Sequence, residues 1–383
     1  MGSLNNRVYF IASIVFTKGV FMDYAVVMAG GTGKRLWPLS REKRPKQVLK
    51  LIDGKTLLRR CFERLTGIFD QRNIIILTNA GYANVVRENL PEVPFGNVIA
   101  EPAVRDTAGA IGLAAAVLTK FDPEASMAVV TADQLIEPEG IFQQAMKDGL
   151  AFVNKNHEAM VTFGIKPTYA STQLGYIQLG DEQNYPGCEN AICPVESFRE
   201  KPDKDTATKY VDSGEYCWNS GMFVWKAKTI LRHLYEKLPA CQEPLKRIQA
   251  TWDGPMQEDA LKEWFLKLPK ISIDYAVMEK ADNVHAIRLD CKWLDMGSFA
   301  ALADIITSDD KNNIVVAGQS ELLDSDNNII VTEDKDHLIA VIGLENMIVA
   351  HSPDATLVCP IDQAQRLKEL LELVRGHKDG KFM

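Results

Sequence analysis

The 383-residue chain is predicted to be an α/β protein: a doubly wound, mostly parallel sheet followed by a small C-terminal β-solenoid-like domain. Three observations predict this. Short apolar runs alternate with helix-spaced segments from residue 24 to 164, the rhythm of a parallel sheet with helices on both faces. A glycine-rich turn leaves the first of those runs. From about 310 to 360, short apolar pieces recur with no helical pattern between them. One core seldom serves a chain of this length, so two domains are expected, 22–308 and 309–383, behind an N-terminal extension, 1–21.

The elements follow in order. Tyr24–Met28 is short, apolar and partly β-branched, which reads as a buried first strand. Lys55–Ile68 has helical apolar spacing at Leu57, Leu58, Cys61, Phe62 and Leu65. Asn73–Thr78 is a strand, Gly81–Asn89 a helix and Asn97–Ala100 a strand. Thr107–Lys120 is an alanine-rich helix that Asp106 or Thr107 can start. Met127–Thr131 is the next strand and ends at Ala132-Asp133. The helix Ile141–Val153 and the strand Met160–Gly164 complete the alternation. From 170 to 300 the pattern changes to shorter strands, clearest at 175–178, 195–199 and 221–225, expected to form a mixed-sheet insertion that walls one side of the site. A helix Ser298–Thr307 and the polar linker Asp309–Asn313 lead to the apolar pieces near 314, 329, 338, 347 and 357, and a helix Ala364–Val374 closes the chain. The tail pieces are too small to form a sizeable core alone, so they must bury against the first domain or a second chain; a homodimer is expected.

Composition excludes some functions. A net charge of −8 without a long basic run argues against nucleic acid as a partner. The seven cysteines are scattered, with no paired spacing, so neither a disulfide framework nor a zinc site is indicated and a cytoplasmic setting is expected. Val8–Phe16 is apolar but too short to cross a bilayer. With Arg7 it resembles a secretory leader that lacks the cleavage pattern. Residues 1–21 are therefore read as an extension or a mis-assigned start, and no membrane role is expected.

The turn Gly30-Gly31-Thr32-Gly33-Lys34-Arg35-Leu36 offers backbone N–H groups with no side chain in the way, suited to a phosphate. Arg35 and Lys46 add cations. A dinucleotide fingerprint would need a third glycine where Leu36 stands, although Asp53 lies near the spacing of a ribose-binding acid. A Walker A loop would need serine or threonine where Arg35 follows Lys34. Ligands of such sheets bind outside the carboxyl ends of strands, where this loop, Glu101 and Asp133 all fall. The Glu101–Thr107 turn is either a plain helix cap or a nucleotide contact: the Glu101 carboxylate can accept from both N1–H and the N2 amino group of guanine. Asp133 is either a solvated loop residue or a magnesium ligand, and its strand-end position favours the metal.

Gly30–Leu36, Pro38-Leu39 and Pro45-Lys46-Gln47 together resemble the signature of the sugar-1-phosphate nucleotidyltransferases, in particular the guanylyltransferases that act on mannose 1-phosphate. Further matches follow in family order: Glu101-Pro102 with Arg105-Asp106-Thr107-Ala108, where the family has asparagine at 106; Ala132-Asp133; Gly175; Phe198 with Glu200-Lys201-Pro202; Asn219-Ser220-Gly221; Ser272–Lys280; and Trp293-Leu294-Asp295 with Gly297. Singly these are weak. Across 24–300 in order they are specific, and 310–375 resembles the family's tail more loosely.

The resemblance implies a Rossmann-like nucleotidyltransferase fold and transfer of GMP from GTP to mannose 1-phosphate, giving GDP-mannose and pyrophosphate with Mg²⁺ as cofactor. It places Gly30, Gly31, Thr32, Gly33, Lys34, Glu101 and Thr107 on the nucleotide, and Gly175, Glu200, Asn219 and Asp274 on the sugar. Arg35, Lys46 and Lys201 become the catalytic cations, and Asp133 and Asp295 the metal ligands. A pyrophosphorylase for another sugar or nucleotide and a non-catalytic nucleotide-sugar-binding protein stay open as alternatives.

Overall fold

Two hydrophobic layers sandwich a nine-stranded sheet. The computed structural model describes residues 22–31, 33–377 and 380–383; Thr32 and the extension 1–21 lie outside the described residues. The first half alternates as the sequence predicts: β1 (Asp23–Met28), α1 (Leu57–Thr66), β2 (Ile74–Asn79), α2 (Ala83–Asn89), β3 (Val98–Glu101), α3 (Asp106–Phe121), β4 (Ser126–Thr131), β5 (Gln134–Glu137), α4 (Glu139–Lys155) and β6 (Met160–Ile165). Then come β7 (Tyr176–Leu179), β8 (Cys193–Arg199), α5 (Lys204–Ser213), β9 (Tyr216–Lys226), α6 (Ala227–Lys237), α7 (Gln242–Thr251), α8 (Gln257–Phe265), α9 (Ile273–Ala276), β10 (Val284–Leu289) and β11 (Lys292–Asp295).

The main sheet has the order β3-β2-β1-β4-β9-β6-β10-β8-β7. β1 pairs in parallel with β2 and β4, and β10 with β6. The long β9 runs antiparallel between β4 and β6, so the sheet is mixed at its centre. Strand alternation explains the two layers. Tyr24 and Val26 face one core with Ile75, Leu77 and the alanine face of α3; Ala25 and Val27 face the other with Ile74, Ile76, Phe62 and Phe142. Helix α1 starts where Thr56 accepts from the Arg59 N–H (3.0 Å), a side-chain N-cap.

Two expectations need correction. The 170–300 region holds strands, but also the four helices α5–α8. The expected helix Ser298–Thr307 is only a 3-10 turn, Phe299–Asp304. Its buried residues, Phe299 and Leu302, are three apart, the spacing that a 3-10 turn stacks.

The C-terminal strands are β12 (Ile314–Val316), β13 (Gln319–Leu323), β14 (Ile329–Thr332), β15 (Leu338–Ile342), β16 (Met347–Ser352) and β17 (Ala355–Pro360), closed by α10 (Leu367–Arg375). β12, β14 and β16 stack in parallel with Ile314, Ile329 and Ile348 in register. Two buried asparagines bind the coils together. Asn313 Nδ2 donates to the Ser325 carbonyl (2.9 Å) and its Oδ1 accepts from the Asn328 N–H (3.0 Å). Asn328 repeats the arrangement with the Leu344 carbonyl and the Met347 N–H. The apolar side of these coils packs against the first domain: Ile314, Ile329, Val331, Ile348 and Leu357 share a core with Leu36, Leu39, Leu49 and Leu51.

Candidate active site

The carboxyl ends of β1, β3, β4 and β6 lie along one edge of the sheet. Asn219 joins them from the antiparallel β9, because it pairs with Gly164 at the end of β6.

At the end of β1, Ala29 is fixed by its N–H to the Leu77 carbonyl (2.7 Å) and by the Thr78 hydroxyl on its own carbonyl (3.0 Å). The glycine loop leaves from there. Gly33 has φ +61, and a Cβ on it would come within 2.6 Å of Lys46 Cβ, so only glycine fits. Gln47 lies against Gly31. With the amide oriented so that both its atoms are satisfied, its oxygen accepts from the Gly31 N–H at 3.2 Å and its nitrogen donates to the Gly31 carbonyl at 3.1 Å. The Pro-Lys-Gln segment thus clamps the glycine loop. Gly30 faces Glu101: an added Cβ would lie 3.3 Å from its carboxylate. No hydrogen bond or ion pair engages that carboxylate among the described residues, and burial alone pushes its pKa up to about 8.

Lys46 connects the loop to both expected metal ligands. Its ammonium lies 2.7 Å from Asp133 and 3.6 Å from Asp295. Burial disfavours that charge, but the two carboxylates outweigh it and raise the lysine. Enclosure in the cleft raises Asp295; Lys46 opposes this and Asp133 adds to it. The two aspartates meet because β5 and β11 form a short antiparallel ladder. Asp295 pairs with Gln134, and the Met296 N–H donates to the Asp133 carbonyl (3.1 Å).

The two carboxylates fit a divalent ion. They are hard oxygen donors already gathered round one cationic point, and Mg²⁺ fills its remaining positions with water and phosphate oxygens. No group of three or more His, Cys, Asp and Glu able to hold a metal occurs among the described residues, so a bound ion would need such outside ligands. Arg35 reaches Gln173 (3.5 Å) and lines, with Asp295, Gly297, Tyr169 and Trp218, a cleft of about 650 Å³. Lys34 is exposed.

A second cluster gathers the residues expected on the sugar. The Asn219 N–H donates to the Gly175 carbonyl (2.8 Å), and its side-chain amide donates to Asp274 (3.1 Å). A Cβ on Gly175 would lie 2.3 Å from the Glu200 carboxylate. Lys201, at φ 49, ion-pairs with Glu200. Burial opposes its charge, while Glu200 and Asp274 raise it. Burial, reinforced by Glu200, lifts the Asp274 carboxyl to about 7. Glu279, given no role from the sequence, accepts from the Glu200 N–H (2.9 Å) and so fixes this turn from behind. Thr107 borders the sugar cluster: its hydroxyl accepts from the Ile273 N–H (2.8 Å), next to Asp274, tying α3 to α9. Gln47 and Glu279 both lie inside motifs quoted from the sequence; position in a motif was the only signal for either.

Comparison with known proteins identifies the family. The nucleotidyl transferase family matches residues 24–312, and the mannoseP isomerase/GMP-like beta-helix domain matches 308–373. The chain is 39% identical over 367 residues to mannose-1-phosphate guanylyltransferase 2 of Escherichia coli O157:H7, covering 94% of this chain and 75% of that protein. It is 35% identical over 365 residues to the mannose-1-phosphate guanylyltransferase of Klebsiella pneumoniae, covering 93% and 75%. A Thermus thermophilus structure, described as a mannose-1-phosphate geranyltransferase, superposes with a TM-score of 0.82 at 33% identity, covering 92% of this chain and 99% of that one. The chain belongs to the nucleotidyl transferase family, among its mannose-1-phosphate guanylyltransferases.

Proposed function

We propose that the chain transfers GMP from GTP to α-D-mannose 1-phosphate, releasing pyrophosphate. The observation that carries this reading is the convergence of Lys46, Asp133 and Asp295 beside the glycine loop, at the same sheet edge as the Gly175–Glu200–Asn219–Asp274 cluster. The sugar phosphate oxygen is already anionic near neutral pH, so no general base is needed. It bonds to the α-phosphorus of GTP in line, and the bond from that phosphorus to the bridging oxygen of the leaving pyrophosphate breaks. The backbone N–H groups of Gly30–Gly33 and the side chains of Arg35 and Lys46 hold the triphosphate. Glu200, Asn219 and Asp274 accept from or donate to sugar hydroxyls, and Lys201 meets the sugar phosphate. Lys34 and Thr107 are assigned to the nucleotide side, Lys34 as an outer cation and Thr107 through the turn it fixes. Asp133 and Asp295 would hold Mg²⁺, which supplies charge neutralisation at the phosphates when bound. Catalysis by these residues is alignment and charge stabilisation.

The test is pyrophosphate release across four nucleoside triphosphates and several sugar 1-phosphates. GTP with mannose 1-phosphate is expected to lead. A preference for UTP or dTTP, or binding without release, would replace this reading.

We further propose a homodimer formed through the C-terminal domain. Leu323, Leu338, Ile342 and Val358 on its strands are 51–73% exposed, and such apolar surface favours burial against a second copy. A monomer by sizing at micromolar concentration would refute it. A cytoplasmic setting is proposed on the seven unpaired cysteines. No helix among the described residues is long and apolar enough to cross a membrane.

A further inference from the structure

The segment Arg44–Lys50 carries Lys46 and Gln47 but has little structure of its own. It holds one three-residue 3-10 turn, Lys46–Val48, closed by Val48 N–H to Pro45 and Leu49 N–H to Lys46 (both 3.1 Å). What surrounds it must therefore fix its place. Glu333, just past β14 in the C-terminal domain, grips both ends. One carboxylate oxygen accepts from the Lys50 N–H at 2.7 Å, and the other lies 2.8 Å from the Arg44 guanidinium. The Glu333 side chain is only 12% exposed, so its hydrogen bond from the Lys50 N–H is shielded from water and holds geometry better than a surface pair, while Arg44, 45% exposed, adds a charge contact without hydrogen-bond geometry. The preceding turn is braced by the same domain. Arg41 meets Asp354 (2.7 Å) and Ser352 (2.9 Å), and the Trp37 indole donates to the Phe382 carbonyl (2.7 Å). From the braced segment, Lys46 reaches Asp133 and Gln47 holds Gly31.

We propose that Glu333 is a positioning residue: through it the C-terminal domain sets the place of Lys46 and Gln47, and hence of the glycine loop, in the active cleft. This rests on the reading of Lys46 and the glycine loop as the phosphate-facing groups. The domain then serves turnover within its own chain, whatever it also does between chains. The sugar cluster hangs from β7, β8, β9 and α9 and does not depend on this brace.

The experiment compares wild type, Glu333→Ala and Glu333→Gln in the full chain, with steady-state kinetics and hydrogen exchange read by mass spectrometry. In Glu333→Ala, kcat falls about 10- to 100-fold, the loss expected of a small misplacement of reacting groups. KM for mannose 1-phosphate stays within about twofold, because the sugar cluster is anchored elsewhere. Glu333→Gln keeps an acceptor for the Lys50 N–H and recovers part of the loss. Peptides spanning 44–50 and 29–36 exchange faster in Glu333→Ala, while the β4 peptide 126–131 does not. Wild-type kcat in Glu333→Ala, faster exchange confined to Lys50, or a rise spread over the whole chain would each overturn the proposal. A wild type that releases no pyrophosphate would overturn the functional reading instead, and the exchange pattern would still decide this one.

Discussion

Glu101 gives the sharpest test of base recognition. It stands at the end of β3 beside Gly30, has no partner among the described residues, and is lifted by burial to about 8. A carboxylate accepts from both guanine donors, whereas a protonated carboxyl cannot. With a folded pKa of about 8, the ionised fraction is about three-quarters at pH 8.5, about one-tenth at pH 7 and about one-hundredth at pH 6. The sign follows if Glu101 accepts from guanine: binding then selects the ionised form and releases a proton, so GTP affinity should rise with pH up to about 8 and then level. Glu101→Gln keeps the shape and removes the titration. At pH 8.5 it should weaken kcat/KM for GTP by roughly 10–100-fold, on the order of 1.5–3 kcal/mol for a charged hydrogen bond. Toward pH 6 the two proteins should converge, because the wild type loses its own carboxylate. The assay is pyrophosphate release against GTP from pH 6 to 8.5 for both. The ratio of the two cancels titration of the substrate phosphates. A ratio that stays constant across this range refutes the reasoning, and a Glu101→Gln protein equal to wild type at pH 8.5 moves base recognition to the backbone or to Asp106.

Asp133→Asn and Asp295→Asn should each lose at least about 100-fold in turnover, the scale of removing one transition-state-stabilising group. Since both carboxylates face one cation position, the double variant should lose little more than the worse single; turnover against Mg²⁺ concentration checks this, and fully additive losses would count against a shared ion. Gly33→Ala places a Cβ 2.6 Å from Lys46 at φ +61; it should cost about 1–2 kcal/mol from the left-handed backbone alone, read by chemical unfolding, with a larger fall in kcat. Gly175→Ala pushes against the Glu200 carboxylate and should raise KM for mannose 1-phosphate while leaving KM for GTP near wild type, as steady-state kinetics will show.

Much of the fold was legible because its signals are local. The βαβα half of the chain announces itself through apolar runs such as Val26–Met28 and the alanine face of α3, whose residues Ala108–Leu118 are all buried. Helices α5 and α8 were not legible for an equally physical reason: α5 buries only Ala207 and α8 only Ala260 and Phe265, so no apolar stripe marks them, whereas α6 (Ile230, Leu231, Leu234) and α7 (Leu245, Ile248) carry short stripes that went unread. The site divides in the same way. Asp133 could be placed at a strand end by pattern, but its meeting with Asp295 depends on the four-residue ladder of β5 and β11, and strands so short leave no period to read. The Thr107 hydroxyl accepts from the Ile273 N–H, a tertiary bond that no local pattern encodes.

The C-terminal domain shows where such reading stops. Its apolar pieces say only that they must be covered, by the catalytic domain or by a second chain. In this chain their inner side is covered by Leu36, Leu39, Leu49 and Leu51, residues that flank the Pro-Lys-Gln motif. The segment that carries the glycine loop and the tail therefore share one core, and each makes up for what the other lacks. The loop is too glycine-rich and too short of regular structure to hold itself, and the coils are too few to bury their own face. Exposed Leu338 and Ile342 lie on β15, outside that shared core. The two faces of the domain can thus be perturbed separately: a polar substitution at Ile342 should change assembly by sizing and spare turnover, whereas Glu333→Ala should lower turnover and spare assembly.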